Sequence, residues 1–217
     1  MIVNPANAYA KSKYAKTTVN VREEPNTHSH IVGKLHWNDR IEFIRQYSKE
    51  WSMVKYRNKI RYIYSKYLKN QKTKSKSYNS PSNSTFKSFE DADCITDNCN
   101  IPQGKLKKKY HLDKKSGVWM VDDRYCIAVG SYYTKKIGVK IDLVLSHNGR
   151  KHTLKCITAD SKADKDTINK HRIHKDGSVV EFVVKTSTLP RKALQMGDIS
   201  YAGKKFRGRI KRIKVYN

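Results

Sequence analysis

The sequence predicts a mainly β protein built of two domains. Three observations carry this. Short strand-like runs recur every ~10 residues between positions 17 and 68, the spacing of a small all-β barrel. Six further runs follow between 118 and 217. The stretch between the two sets is rich in Ser, Lys and Asn and poor in apolar positions. A chain of 217 residues has room for one large domain or two small ones.

Taken in order, residues 1–15 read as an N-terminal extension. MIVNPANAYA ends in an Ala-x-Ala pattern like a signal-peptidase site, but no apolar stretch precedes it. The expectation is a secreted or wall-associated protein whose signal is absent or removed. TTVNV leads into REEPN, where Pro25 and Asn26 signal a turn. HIVGKL, RIEFIRQ, WSMVKY and IRYIYSKYL follow as strands, with clear alternation in RIEFI and RYIYSKYL. Residues 70–117 read as a basic, flexible linker. In the last hundred residues the strand-like runs are VWMV, YCIAVG, KIDLVLS, HTLKCITA, SVVEFVV and RIKRIKVY. Asn148-Gly149 is a hairpin signal. TLPRKALQMG is the best helical signal, with Pro190 in the first turn and Gly197 after the last.

The formal net charge is +27, from 46 Lys and Arg against 19 Asp and Glu. Basic residues outnumber acidic ones in all three stretches, so the charge is not confined to a tail. A field of this size attracts polyanions: nucleic acid, anionic wall polymers or acidic membranes. Lys is a point charge without the flat fork that reads bases, and no nucleic-acid motif stands out. Incidental nucleic-acid binding is therefore expected at most. No apolar run approaches the ~18 residues that span a membrane. Cys94 and Cys99 are close enough for a small disulfide loop in an exported protein, with free thiols as the alternative. Their spacing is a poor zinc signature.

TVNVREEPNTHSHIVGKL, EWSMVKY and RYIYSKYL together resemble a bacterial SH3 domain over residues 16–69. Asn20, Val21, Arg22, Pro25, Gly33, Trp51, Val54, Tyr62, Tyr67 and Leu68 stand at the family's positions, and Arg61 replaces its usual Gly. The resemblance implies a small SH3-like barrel that targets peptidoglycan or its cross-bridges. Trp37, Tyr56 and Tyr64 are the expected substrate-binding aromatics, with Trp51 and Tyr62 given to the core.

Residues 118–217 have a second resemblance. Gly138 opens a strand, Asn148-Gly149 turns, a strand ends at Asp160, a polar loop follows, and a strand carrying Glu181 precedes a helix with Ala193 and Gly197. This succession resembles the double-psi β-barrels of wall-active proteins such as the rare-lipoprotein-A, three-aspartate and expansin-like groups. It implies a six-stranded barrel with one short helix. It also implies a lytic transglycosylase or glycoside hydrolase in which Asp160 and Glu181 are the catalytic acids. The sequence has Asp160-Ser161-Lys162 where those groups have Asp-Arg-Gly or Asp-Thr-Gly, and Glu181 where they have Asp.

Cleavage of a glycosidic bond needs a proton delivered to the leaving oxygen. The donating carboxyl must be held protonated by burial or a like-charged neighbour. Lys162 and Lys165 oppose that. Alternation in SVVEFVV puts Val180 and Phe182 on the face opposite Glu181. Asp164 and Asp166 read as loop residues. His171 and His174 have metal-compatible spacing, but the Asp-rich run lacks the Gly and terminal Glu of a calcium loop, so no metal and no cofactor is expected. His174 is retained as a substrate-binding residue. The expected partners are peptidoglycan or anionic wall polymers, met by a monomer. A peptidoglycan-binding protein without catalysis is the alternative.

Overall fold

The computed structural model describes residues 11–216. The chain divides into two compact units, the first ending at Thr73 and the second beginning at Lys74. The Ala-x-Ala pattern at the N-terminus lies outside the described residues.

The first unit holds seven strands: β1 (Lys11–Ala15), β2 (Val19–Arg22), β3 (Ile31–Leu35), β4 (Arg40–Gln46), β5 (Trp51–Tyr56), β6 (Lys59–Tyr64) and β7 (Leu68–Lys69). They form an SH3-like antiparallel sheet in the order β3-β2-β6-β5-β4-β1-β7. Alternation works as the sequence requires. Val19, Val21, Val54, Ile63 and Leu68 turn inward to a small core together with Ala15, Leu35 and Ile41. Residues 11–15, expected as an extension, instead pair with β4 and β7. Ala15 is fully buried there, so the domain starts before residue 16. Gly33 has a steric reason. A Cβ there would lie 2.3 Å from the Tyr56 hydroxyl, because that ring crosses the strand.

The second unit contains β8 (Ser75–Asn79), β9 (Ser88–Asp91), α1 (Pro102–Lys107), β10 (His111–Asp113), β11 (Val118–Val121), β12 (Arg124–Val129), β13 (Lys140–His147), β14 (Arg150–Ser161), β15 (Thr167–Ile168), β16 (Ile173–His174), β17 (Val180–Val184), α2 (Arg191–Met196) and β18 (Arg209–Tyr216). Nine strands form one mixed sheet, ordered β10-β11-β17-β12-β14-β13-β18-β8, with β9 added along β17 and β11 also paired with β12. Pairing is parallel between β12 and β14 and between β9 and β17. All six strand-like runs are strands. The expected architecture of six strands and one helix is corrected to a nine-stranded mixed sheet with two short helices.

The three extra strands come from the stretch read as linker. SKSYN and SFED are too short and polar to declare themselves, and they become strands by docking on edges that β18 and β17 already offer. Residues 75–113 are thus part of the second unit rather than a tether. One inner face holds the main core of Ile127, Val129, Leu143, Phe182, Phe206 and Ile213. The opposite face of β12, β14 and β17 carries a smaller cluster of Cys126, Ile157, Ala159 and Val183. Ala92 and Ile95, with the half-buried Leu106, Tyr110 and Trp119, cover it. Asn148 and Gly149, at φ 47 and 75, make the hairpin turn. Gly197 ends α2 in the left-handed region at φ 61.

All four cysteines are free thiols, the alternative given for Cys94 and Cys99. Cys126 stands opposite Ile157, whereas Cys156 stands opposite Tyr125; the two thiols therefore point to opposite faces of the sheet.

Candidate functional site

In the first unit, β2, the start of β5, the end of β6 and the following turn frame a groove of about 420 Å³. Trp51 and Tyr64 form its aromatic wall, edge to face with ring centroids 5.3 Å apart. The Tyr64 hydroxyl donates to Glu50 Oε1 at 2.9 Å. Lys66 Nζ lies 4.8 Å from the Tyr64 ring centroid and 5.0 Å from that of Tyr67. Asn20, Arg22 and Thr27 line the other side. Arg22 also donates to the Ser29 carbonyl at 2.6 Å, pinning the loop after β2. Trp51 thus does two jobs: it is 7% exposed, yet its edge lines the groove.

Of the expected substrate-binding residues, the groove includes Tyr64 but not Trp37 or Tyr56. The Trp37 ring carries Lys69 Nζ 5.1 Å from its centroid. Tyr56 is half-buried against the core and over Gly33. His174 belongs to the second unit, with its Nδ1 3.0 Å from Asp176 Oδ1.

In the second unit, strand register brings Asp160 and Glu181 to one face. Ala128 on β12 stands opposite Asp160 on β14 and opposite Glu181 on β17. In-register neighbours point to the same side of a sheet, and the two acids are separated by two strand spacings, roughly 9.6 Å. A bulge makes this possible. The register shifts between Ile127 and Ala128, so β14 fits Ala159 in as an extra residue and turns Asp160 onto the Glu181 face.

The structure adds a third acid that the sequence reading missed. Glu90 on β9 stands opposite Val183, two residues along β17 from Glu181 and hence on the same face. Its carboxyl is pushed up to about 8, first by burial and then by the negative charges of Glu181 and Asp160, against the pull of Lys162. Near neutrality Glu90 therefore holds a proton. Its Oε1 is buried without a hydrogen-bond partner among the described residues, as is Trp119 Nε1.

Lys162 is the counter-charge. Its side chain is almost fully buried, with Nζ 3.6 Å from Glu181 Oε2. It also donates to Ser178 Oγ at 3.1 Å. Ser88 donates to the same Oγ at 2.8 Å, tying β9 to this network. A recess of about 290 Å³ opens beyond the ends of β12 and β14, lined by Ser131, Lys135, Ser161, Lys162, Ala163 and Asp164. The crevice past the carboxyl ends of parallel strands is where open α/β sheets bind ligands. Glu90, Asp160 and Glu181 do not line this recess; Lys162, which does, is the ion-pair partner of Glu181. Ser131 donates to Asp164 at 2.5 Å, and Thr167 Oγ1 bonds His171 Nδ1 at 2.7 Å, so these loop side chains hold each other.

The fold and groove of the first unit define an SH3-type binding module. Residues 17–69 match the bacterial SH3 domain family, which is typical of proteins associated with the bacterial cell wall. The match leaves the second unit unassigned, and no curated protein matches the chain. Among the described residues no helix is long and apolar enough to cross a membrane.

Proposed function

We propose that this is a bacterial or phage wall-directed protein in which the SH3 domain holds peptidoglycan while the second domain cleaves its glycan strands. The second domain is read as a double-psi-type barrel. Its parallel β12–β14 and β9–β17 pairs, its Asn148-Gly149 hairpin and its strand-end Asp160 support that reading. The observation that carries the activity is the group Glu90, Asp160 and Glu181 on one sheet face, with a proton resident near neutrality. Glycan cleavage needs a protonated carboxyl at the leaving oxygen as positive charge develops at the sugar. Asp160, half-exposed at the strand end, is placed to contact substrate. Glu181 is tied to Lys162. Glu90 is the buried proton store: the negative charges of Glu181 and Asp160 help to hold its proton near neutrality. In a transglycosylase the sugar's own 6-hydroxyl then attacks and no water is consumed.

A second reading, wall binding without catalysis, is favoured by one feature. Lys162 neutralises Glu181, and the neighbouring recess is not lined by the acids. The discriminating experiment measures release of soluble fragments from purified peptidoglycan by the wild type, Asp160→Asn and Glu181→Gln, alongside pelleting with the same walls. Release that falls by roughly 100-fold or more in Asp160→Asn, with pelleting retained, supports cleavage. Pelleting without release in all three supports the binding reading.

A further inference from the structure

The outer face of β14, β13, β18 and β8 has a composition that neither the core nor the acid cluster explains. Three cross-strand rows can be read from the register. Lys151, Ser146 and Arg209 form one; Thr153, Val144, Arg212 and Asn79 the next; Lys155, Asp142, Lys214 and Ser77 the third. Their strand neighbours Leu143, Leu145, Leu154, Ile213 and Ile210 are buried on the other side, so these rows face outward. Five cations thus stand on a surface otherwise made of small side chains.

The acids near this face are already engaged. Asp142 accepts from Arg124 at 2.9 Å and from the Tyr216 hydroxyl at 2.7 Å. Asp123 pairs with Lys155 at 3.1 Å. Among the described residues, no acid forms an ion pair with Lys151, Arg209, Lys211, Arg212 or Lys214.

At the β8 edge the face deepens into a recess of about 300 Å³. Lys151, Lys211 and Arg212 line it together with Asn79, Ser82 and Asn83, and no acid does. Lys211 reaches it because β18 bulges there: Val144 stands opposite Arg212, and Leu145 opposite Ile210. The Arg fork matches a phosphate bidentately, the two lysines add point charge, and the amide and hydroxyl groups offer neutral donors. The recess has no aromatic side chain on which a nucleobase could stack, which single-strand nucleic-acid sites use.

We infer that this face is a docking surface for a linear polyol–phosphodiester polymer of the bacterial wall, with one phosphate seated in the recess between Lys151, Lys211 and Arg212. The choice of a wall polymer over nucleic acid rests on the wall-directed reading above and on the missing stacking platform. The surface accounts for where part of the +27 charge is spent.

The test measures binding of the full chain to purified poly(glycerol phosphate) and to a single-stranded oligonucleotide of equal phosphate number, over a salt series. The proteins are the wild type, the triple variant Lys151→Ser, Lys211→Ser, Arg212→Ser, and the single variant Arg212→Gln, each checked for an unchanged thermal midpoint. The single variant keeps the test usable should the triple one unfold. The polyol polymer should bind more tightly than the oligonucleotide. The triple variant should lose about tenfold or more in affinity. Its slope of log K against log salt should shrink by about 2, near 0.7 per cation removed. Arg212→Gln should show part of both effects. Equal binding by the variants overturns the site, and tighter oligonucleotide binding overturns the choice of polymer. Pelleting with walls stripped of phosphodiester polymer separates the two readings. The triple variant should still pellet there through its SH3 groove, and a wild type that fails to pellet refutes the wall-directed reading independently of the polymer result.

Discussion

Glu90 carries a pH prediction with a definite sign. Its carboxyl sits at about 8 in the folded protein, against an ordinary value of 4.5, with burial the main cause. The folded state therefore binds a proton that the unfolded chain releases between those values. A raised carboxyl contributes stability that is fully present below about 4.5 and lost as pH rises through about 8. The wild type should thus melt progressively lower from pH 5 to pH 8.5. Glu90→Gln, which mimics the protonated form, should flatten this dependence and be the more stable protein at pH 8.5, by roughly 1–3 kcal/mol. Thermal unfolding of the two proteins at several pH values decides it. The same substitution should lower glycan cleavage, so stability and activity should move in opposite directions at pH 8. In the SH3 groove, Tyr64→Ala removes an aromatic wall without opening the core, because Tyr64 is half-exposed. It should weaken pelleting with peptidoglycan several-fold and leave the thermal midpoint within about 1 kcal/mol of wild type in stability terms.

At the scale of elements, β9 is held by an unusual anchor. Lys87 is fully buried, and its Nζ donates to the Thr85 carbonyl at 2.5 Å, Ser200 Oγ at 2.8 Å and the Gly208 carbonyl at 2.9 Å. Burial lowers its ammonium to about 8, against the attraction of Asp198. Lys87→Met keeps the aliphatic stem but leaves those acceptors buried without their donor, which should cost roughly 2–4 kcal/mol. Chemical denaturation measures that loss. Because Glu90 lies three residues on, cleavage should fall with it.

This anchor also shows what could and could not be read from the residues. KIDLVLSH was legible because alternation separates its buried and exposed positions, and VEFVV because a short apolar, β-branched run reads as a strand buried on both faces. Asp160 and Glu181 read as neighbours on adjacent strands, but β12 runs between β14 and β17. Their common face depends on the bulge at Ala159, which no local pattern announces. Glu90 was hidden for a deeper reason. KSFED is polar, and its lysine is buried by bonds to residues more than a hundred positions away. A polar stretch that is ordered only by docking on a finished sheet looks the same in sequence as a solvated linker. Trp37 and Tyr56, expected with Tyr64 as groove aromatics, do not line the groove that Trp51 and Tyr64 form. Aromatic content marks candidates for a groove, but not that a ring such as Tyr56 packs against the core instead.

At the scale of the whole molecule, the unit boundary at Thr73 and Lys74 makes a clear claim about autonomy. A fragment of residues 74–217 should unfold cooperatively on its own. A fragment of residues 118–217 lacks β8, β9 and β10, exposes the edges of β17 and β18, and should fail to give a cooperative transition or should aggregate. Calorimetry of the two fragments tests this.

The central claim is that a wall-held protein uses the acid cluster of its second unit to cut glycan strands. It is tested most directly by the masses of the soluble fragments released from purified peptidoglycan by the wild type, Asp160→Asn and Glu90→Gln. The account predicts fragments ending in a 1,6-anhydro ring from the wild type, few from Glu90→Gln and none from Asp160→Asn. Fragments with reducing ends would keep the cluster but make it a hydrolase. No fragments from the wild type, with all three proteins still bound to the wall, would contradict the claim and leave Asp160 a structural residue of a binding protein.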